Sequence, residues 1–140
     1  MSDKTSIAPE DHIARYCRPG ACSGDEILKE AFLPRENEHG ISVNWAEYFS
    51  GSLASQIDQI REDISQQLQL RRGGRFAVLQ AGAVREGTTI LRVEHAPEDG
   101  NPSHAEVRGW PNEAIQRIRI ALSLKRLVSR GVIFPALKGE

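Results

Sequence analysis

The clearest hydrophobic pattern in the chain runs from Leu53 to Leu68. Leu53, Ile57, Ile60, Ile64 and Leu68 recur at spacings of 4, 3, 4 and 4, which at 100° per residue places them within about 80° of arc. This predicts a surface helix over residues 52–72 that packs one narrow stripe inward. Gly73-Gly74 closes it, with Arg71 and Arg72 near the negative end of its dipole. A second helical pattern fills residues 111–130. Pro111 opens it at the first turn, where a missing N–H costs nothing. Apolar residues from Ile115 to Val128 spread over roughly 240° of its wheel, leaving Gln116, Arg119, Ser123, Arg126 and Arg130 as a narrow polar stripe. Such a helix either lies between a sheet and another helix or offers its surplus apolar surface to a second subunit. The partner it suggests is a second copy of the chain, in a homodimer through helix 111–130.

Between these helices the period shortens to two. Residues 75–84, "RFAVLQAGAV", are nearly continuously apolar and read as a strand covered on both faces, although length alone does not exclude a helix. Residues 85–87 read as a hairpin-like connection. Residues 88–95 alternate, with Leu91, Val93 and His95 on one side and Ile90, Arg92 and Glu94 on the other. A polar loop over 96–103 follows, and 104–110 alternate again, Ala105 and Val107 inward, His104, Glu106 and Arg108 outward. Three strands in an antiparallel meander result. Gly131 stops the last helix and "VIFP" forms a short extended tail.

The first third is less regular. Residues 9–18 fit a helix with His12, Arg15 and Tyr16 on one face. They equally fit a strand with His12, Ala14 and Tyr16 on one face and Ile13 and Arg15 opposite. "SGDEILKEAF" (23–32) reads as a short helix with Ser23 or Asp25 near its cap. In "ISVNWAEYFSG" (41–51) a short strand runs into a helix. Asn44 is its N-cap, Glu47 closes a capping box, Val43 and Tyr48 form a hydrophobic staple, and Trp45 and Phe49 share a helical face. The expected organisation is a flexible N-terminus over 1–8 and a single α+β domain over 9–140. That domain is an antiparallel three- to four-stranded sheet with helices packed mainly on one face.

Composition narrows the function classes. A chain of 140 residues can bury a real core, and no run reaches the roughly 18 to 20 apolar residues of a membrane span. The N-terminus lacks the apolar stretch of a secretory signal, so a cytoplasmic location is expected. Cys17 and Cys22 read as free thiols there rather than as a disulfide or half of a zinc site with His12. Residues 1–70 hold 6 Lys/Arg and 12 Asp/Glu, residues 71–140 hold 12 and 7, and the net charges of −6 and +5 sum to −1. That asymmetry fits head-to-tail association, a basic face, or simply a dipolar domain. Arg71, Arg72 and Arg75, with the stripe Arg119, Arg126 and Arg130, could meet phosphates. The near-neutral total and the lack of interleaved aromatics argue against a nucleic-acid partner. No phosphate loop, dinucleotide fingerprint or hydrolase elbow occurs, and nothing calls for a cofactor or metal.

The strongest candidate chemistry lies around the 96–103 loop. His104 and Glu106 stand two apart on one strand and project to the same side, where they could serve as base and orienting carboxylate. His95 would join them only through a bulge or register slip. A solvated face of cross-strand ion pairs explains the same residues. His12, Arg15 and Tyr16 form a second group, Arg15 being suited to clamp a carboxylate or phosphate, although a packed Tyr ring and an Arg paired with a nearby acid explain it equally. At "ARYCRP", "ISVNWAEYF" and "NPSHAEVRGWP" the chain resembles a family of small bacterial proteins to which no activity is attached. The resemblance implies a free-standing bacterial domain and carries over no catalytic residue. The expected function is therefore that of a small soluble intracellular binding or accessory protein. The alternative is an acid/base enzyme acting on a phosphorylated or nucleotide-like substrate through His104 and Glu106, with Arg15 as anion clamp and Tyr16 and His95 beside it.

Overall fold

In a computed structural model the chain is described over residues 6–128 and 132–139. In chain order these residues form β1 (His12–Cys17), a ribbon of β2 (Cys22–Ser23) and β3 (Glu26–Ile27), β4 (Gly40–Trp45) and α1 (Leu53–Ser65). Then come β5 (Arg75–Gln80), α2 (Ala81–Thr88), β6 (Arg92–His95), β7 (His104–Arg108), α3 (Ala114–Val128) and β8 (Ile133–Pro135). The class is α+β, yet the sheet has six strands rather than three or four, in the antiparallel order β6-β7-β4-β1-β5-β8. The expected meander is absent: β5 lies beyond β1, two strands removed from β7, and β6 pairs with β7 at the far edge.

The alternation in β1 puts this strand at the centre of both cores. Ile13 and Cys17 join Val43, Trp45, Leu79, Val107 and the α3 residues Ala121, Leu124 and Val128 in the larger core. Ala14 joins Phe76, Val78 and the α1 residues Ile57 and Ile60 in the smaller one. So α2 and α3 pack on one face and α1 on the other, which settles residues 12–17 as a strand.

Several local expectations are corrected. The apolar run 75–84 ends its strand at Gln80, and 81–88 are helical, so 85–87 make no hairpin and β6 begins only at Arg92. The turn is fixed from outside: Ala81 N donates to Asp11 O and Gly82 N to Pro9 O, both at 2.8 Å, which occupies two amides that a helix start leaves orphaned. Residues 23–32 form the β2–β3 ribbon around Gly24 (φ 61°) and a 3-10 turn at Lys29–Phe32 instead of a capped helix. Helix α1 starts at its N-cap Ser52, whose side chain accepts from Ser55 N, but ends at Ser65, well before Arg72. Arg117, absent from the polar stripe expected on α3, lies on its buried face and donates to the carbonyls of Pro111, Arg35 and Glu38. Ile7, expected to be loose, is buried, and its carbonyl accepts from Arg85; residues 1–5 lie outside the described residues. Among the described residues no helix is long and apolar enough to cross a membrane.

The segment 41–51 folds differently from a capping box. Strand β4 runs through Trp45, and Ala46–Tyr48 form a 3-10 turn without a side-chain cap. Glu47 reaches instead to β1, accepting from His12 N at 2.7 Å and contacting His12 Nδ1 at 2.6 Å. Val43 and Tyr48 make no staple across a cap: Val43 belongs to the larger core, while Tyr48 stacks edge-on against Trp45 and Phe49. Trp45 and Phe49 part company, Trp45 entering the larger core and Phe49 the smaller.

Candidate cleft at the polar half of the sheet

Register places Val78, Ala14, Asn44 and His104 in one row across β5, β1, β4 and β7. Directly opposed residues of an antiparallel ladder share a face, so all four look toward the side of α1. Along this row chemistry changes from apolar to polar. Helix α1 covers the apolar half, and over the polar half lies a cleft of about 200 Å³. Its polar lining includes Arg15, Tyr16, Asn44, Glu98, Asn101 and His104.

His104 is buried, with Nδ1 2.7 Å from Ala96 O. A carbonyl only accepts, so the neutral ring carries its proton on Nδ1 and keeps a lone pair on Nε2. That Nε2 stands 3.9 Å from Glu98 Oε1. Two acceptors facing one another at this separation suit a donor group held between them. Asn44 spends both amide protons on its neighbours, donating to Asn101 Oδ1 at 2.6 Å and Ser103 Oγ at 2.9 Å. Asn44 Oδ1 and Asn101 Nδ2 take no protein partner among the described residues.

The loop that carries Glu98 and Asn101 is a tight return. The two residues exchange backbone hydrogen bonds of 3.1 and 2.9 Å around Asp99-Gly100, and Gly100 at φ 75° supplies the left-handed turn. Gln67 Nε2 donates to Asp99 O at 2.7 Å, clasping the loop tip to the end of α1. Arg15 enters differently. β1 and β4 pair only at Ile13–Trp45 and Ala14–Asn44, and beyond that point the guanidinium fills the widening gap. Its Nη1 donates to Ser42 O at 2.8 Å and its Nε to Ala31 O at 2.9 Å. Nη2 keeps no protein acceptor among the described residues. Burial lowers the Arg15 pKa from the ordinary guanidinium value, with neighbouring Arg18 and Arg35 adding to the effect; the group stays a cation. Tyr16 leans on Phe76, its hydroxyl accepting from Arg71 N at 3.3 Å.

Three of the side chains singled out in the sequence thus converge here: Arg15, Tyr16 and His104. Glu106 shares the face of His104 but does not line the cleft. It pairs with Arg108 at 2.6 Å, beside Glu94, in the solvated cross-strand network that the alternation also allowed. His95 opposes Ala105 and faces the other way, Nε2 2.8 Å from Pro102 O and the ring packed against Trp45 and Tyr48. His12 pairs with Glu47 away from the cleft. Cys17 and Cys22 are free thiols, and no group of three or more His, Cys, Asp or Glu is placed to hold a metal among the described residues. Of the basic groups, Arg75 pairs with Asp25 and Arg130 lies outside the described residues.

Glu98, Asn44 and Asn101 were missed, although two signals pointed to them. "ISVNW" alternates through Trp45, which puts Ser42 and Asn44 on the face of a strand rather than at a cap. Asp99-Gly100 is a two-residue turn signal that folds Glu98 and Asn101 back over that face. Comparison of the chain with protein-family models, with curated proteins and with solved structures found no match, and the reading of this cleft rests on its own geometry.

Proposed function

We propose that the protein binds a small polar ligand in this cleft, as a binding or accessory protein. The observation that carries the reading is the convergence of one cation, one carboxylate, one imidazole and two amides from four separate chain segments on a single concavity. Asp63 Oδ2 alone is a buried side-chain polar atom without a partner among the described residues, so Asn44 Oδ1, Asn101 Nδ2 and Arg15 Nη2 are accessible from outside and keep bonding capacity for a ligand. A carbonyl or carboxylate on the ligand suits Arg15 and Asn101, and an N–H or O–H suits Glu98, His104 and Asn44. The test is a nuclear magnetic resonance titration with a panel of small amides, carboxylates and N-heterocycles. Hits should shift the side-chain amides of Asn44 and Asn101, and Asn101→Ala should remove the response. Hits that map elsewhere on the sheet, or no hits, sink the reading.

His104 favours a second reading. With the tautomer fixed by Ala96, Nε2 is a positioned base and Glu98, not Glu106, is its neighbouring carboxylate. An enzyme of this design would chemically change a ligand found by titration on prolonged incubation, and Glu98→Gln would stop the change. A ligand recovered intact from the wild-type protein rules out acid/base turnover.

The homodimer through α3 stands on a separate observation. Ile115, Ile118 and Leu122 are 59%, 38% and 36% exposed and lie within about 60° of arc on the helix. We propose that a second copy covers this stripe. Light scattering at high micromolar concentration should then give twice the chain mass, and Ile118→Glu should return it to the monomer. A monomeric wild type removes the proposal.

A further inference from the structure

Leu68 is the last member of the apolar series that begins at Leu53, but α1 ends at Ser65 and Leu68 is left 49% exposed. It occupies a meeting point. Together with Tyr16 it lines both the cleft and a neighbouring groove of about 380 Å³. That groove passes Pro19 and Gly20 and is flanked by Arg18 and Arg71. Both arginines are exposed, and neither meets a carboxylate among the described residues. One continuous floor therefore leads from His104 and Glu98, across an apolar saddle of Tyr16 and Leu68, to two free guanidinium groups.

Resting on the cleft as a ligand site, we infer that the ligand is a nucleoside monophosphate, its base in the cleft and its phosphate at Arg18 and Arg71. Amide and carboxylate side chains read the edges of a flat heterocycle through paired donors and acceptors. Glu98 Oε and Asn44 Oδ1 accept from a ring N–H or exocyclic amine, while Arg15 Nη2 and Asn101 Nδ2 donate to a ring carbonyl. Guanine and cytosine carry an exocyclic amine beside a ring carbonyl and so offer N–H groups to both acceptors, whereas uracil offers a single ring N–H and adenine has no carbonyl. The sugar then spans the saddle and covers Leu68. Guanidinium groups hold phosphate through charge-assisted, bidentate bonds.

Calorimetric titration of the full chain at low salt tests this with GMP, CMP, AMP and UMP and the four matching nucleosides. GMP or CMP should bind, with the matching nucleoside at least about tenfold weaker. In an Arg18→Ala/Arg71→Ala variant that difference should vanish, with an unchanged melting curve because both side chains are exposed and unpaired. Glu98→Gln should weaken nucleotide and nucleoside alike. If none of the eight probes binds, the nucleotide assignment is overturned. Equal binding of nucleotide and nucleoside that Glu98→Gln weakens overturns the phosphate subsite alone and leaves the cleft. Binding that the arginine pair supports and Glu98→Gln does not touch overturns the cleft itself.

Discussion

Asp63 shows how a single residue can run against its surroundings. It lies buried on α1, its Oδ1 accepts from Gln59 Nε2 at 3.2 Å, and its Oδ2 finds no partner among the described residues. Burial raises its pKa, Glu62 adds to the rise and Gln59 opposes it. A carboxyl whose pKa is raised on folding binds protons more tightly in the folded chain. Its effect on stability is therefore most favourable below the unfolded value near 4 and declines as pH climbs toward the raised one. Asp63→Asn should accordingly raise the melting temperature at pH 7 by about 1–3 °C and give no gain below about pH 4. Calorimetry at the two pH values checks it, and a loss at pH 7 contradicts the account. Cys17 makes a second residue-scale case. Burial pushes its thiol up to about 12, and the thiolate is the reactive form. Iodoacetamide at pH 8 should modify the partly exposed Cys22 first and reach Cys17 only on unfolding, as intact mass will report.

At the scale of elements, the sequence spoke clearly where one period dominated and misled where small residues blurred it. The Leu53–Ile64 stripe and the alternation of 92–95 and 104–108 translate directly into α1, β6 and β7. Residues 81–88 do not, because Ala and Gly carry no face and Gln80-Ala81 bears no stop signal. What makes α2 a helix is Pro9 and Asp11, some seventy residues upstream, receiving its first amides. Its two glycines consequently have opposite roles. A Cβ on Gly82 would stand 2.8 Å from Pro9 O, whereas one on Gly87 would meet only Leu127 Cδ1 at 3.9 Å. Gly82→Ala should therefore cost about 1–3 kcal/mol by crowding this junction. Gly87→Ala should gain about 0.5–1 kcal/mol from helix propensity. Urea unfolding of both variants decides; equal signs would show that the junction is not the constraint.

Across the whole molecule, the charge asymmetry of the two halves finds an internal use. Glu26 pairs with Lys125, Asp25 with Arg75 and Asp58 with Lys138, each an acid of the first half with a base of the second. Such exposed pairs contribute little energy, so closure of the fold must come from burial. Strand β8 is where that closure occurs. The tail was legible as extended and apolar, but its partner β5 lies more than fifty residues away, and no local pattern announces such pairing. Phe134 opposes Phe76 and packs into the α1 core, while Ile133 packs against the α3 core and Arg61 holds Pro135 O. One short edge strand thus caps both cores, with alternate residues committed to opposite faces. Removing residues 132–140 should cost more than about 2 kcal/mol, since full burial of a Phe or Ile contributes about 1.5–3 kcal/mol and Ile133 and Phe134 are half-buried beside the buried Ala136. It should also lower the denaturant midpoint reported by Trp45 in the larger core and by Tyr16 beside the smaller one together. If the Trp45 signal holds its midpoint while the α1 side alone loosens, the two cores fold independently and β8 is only an edge.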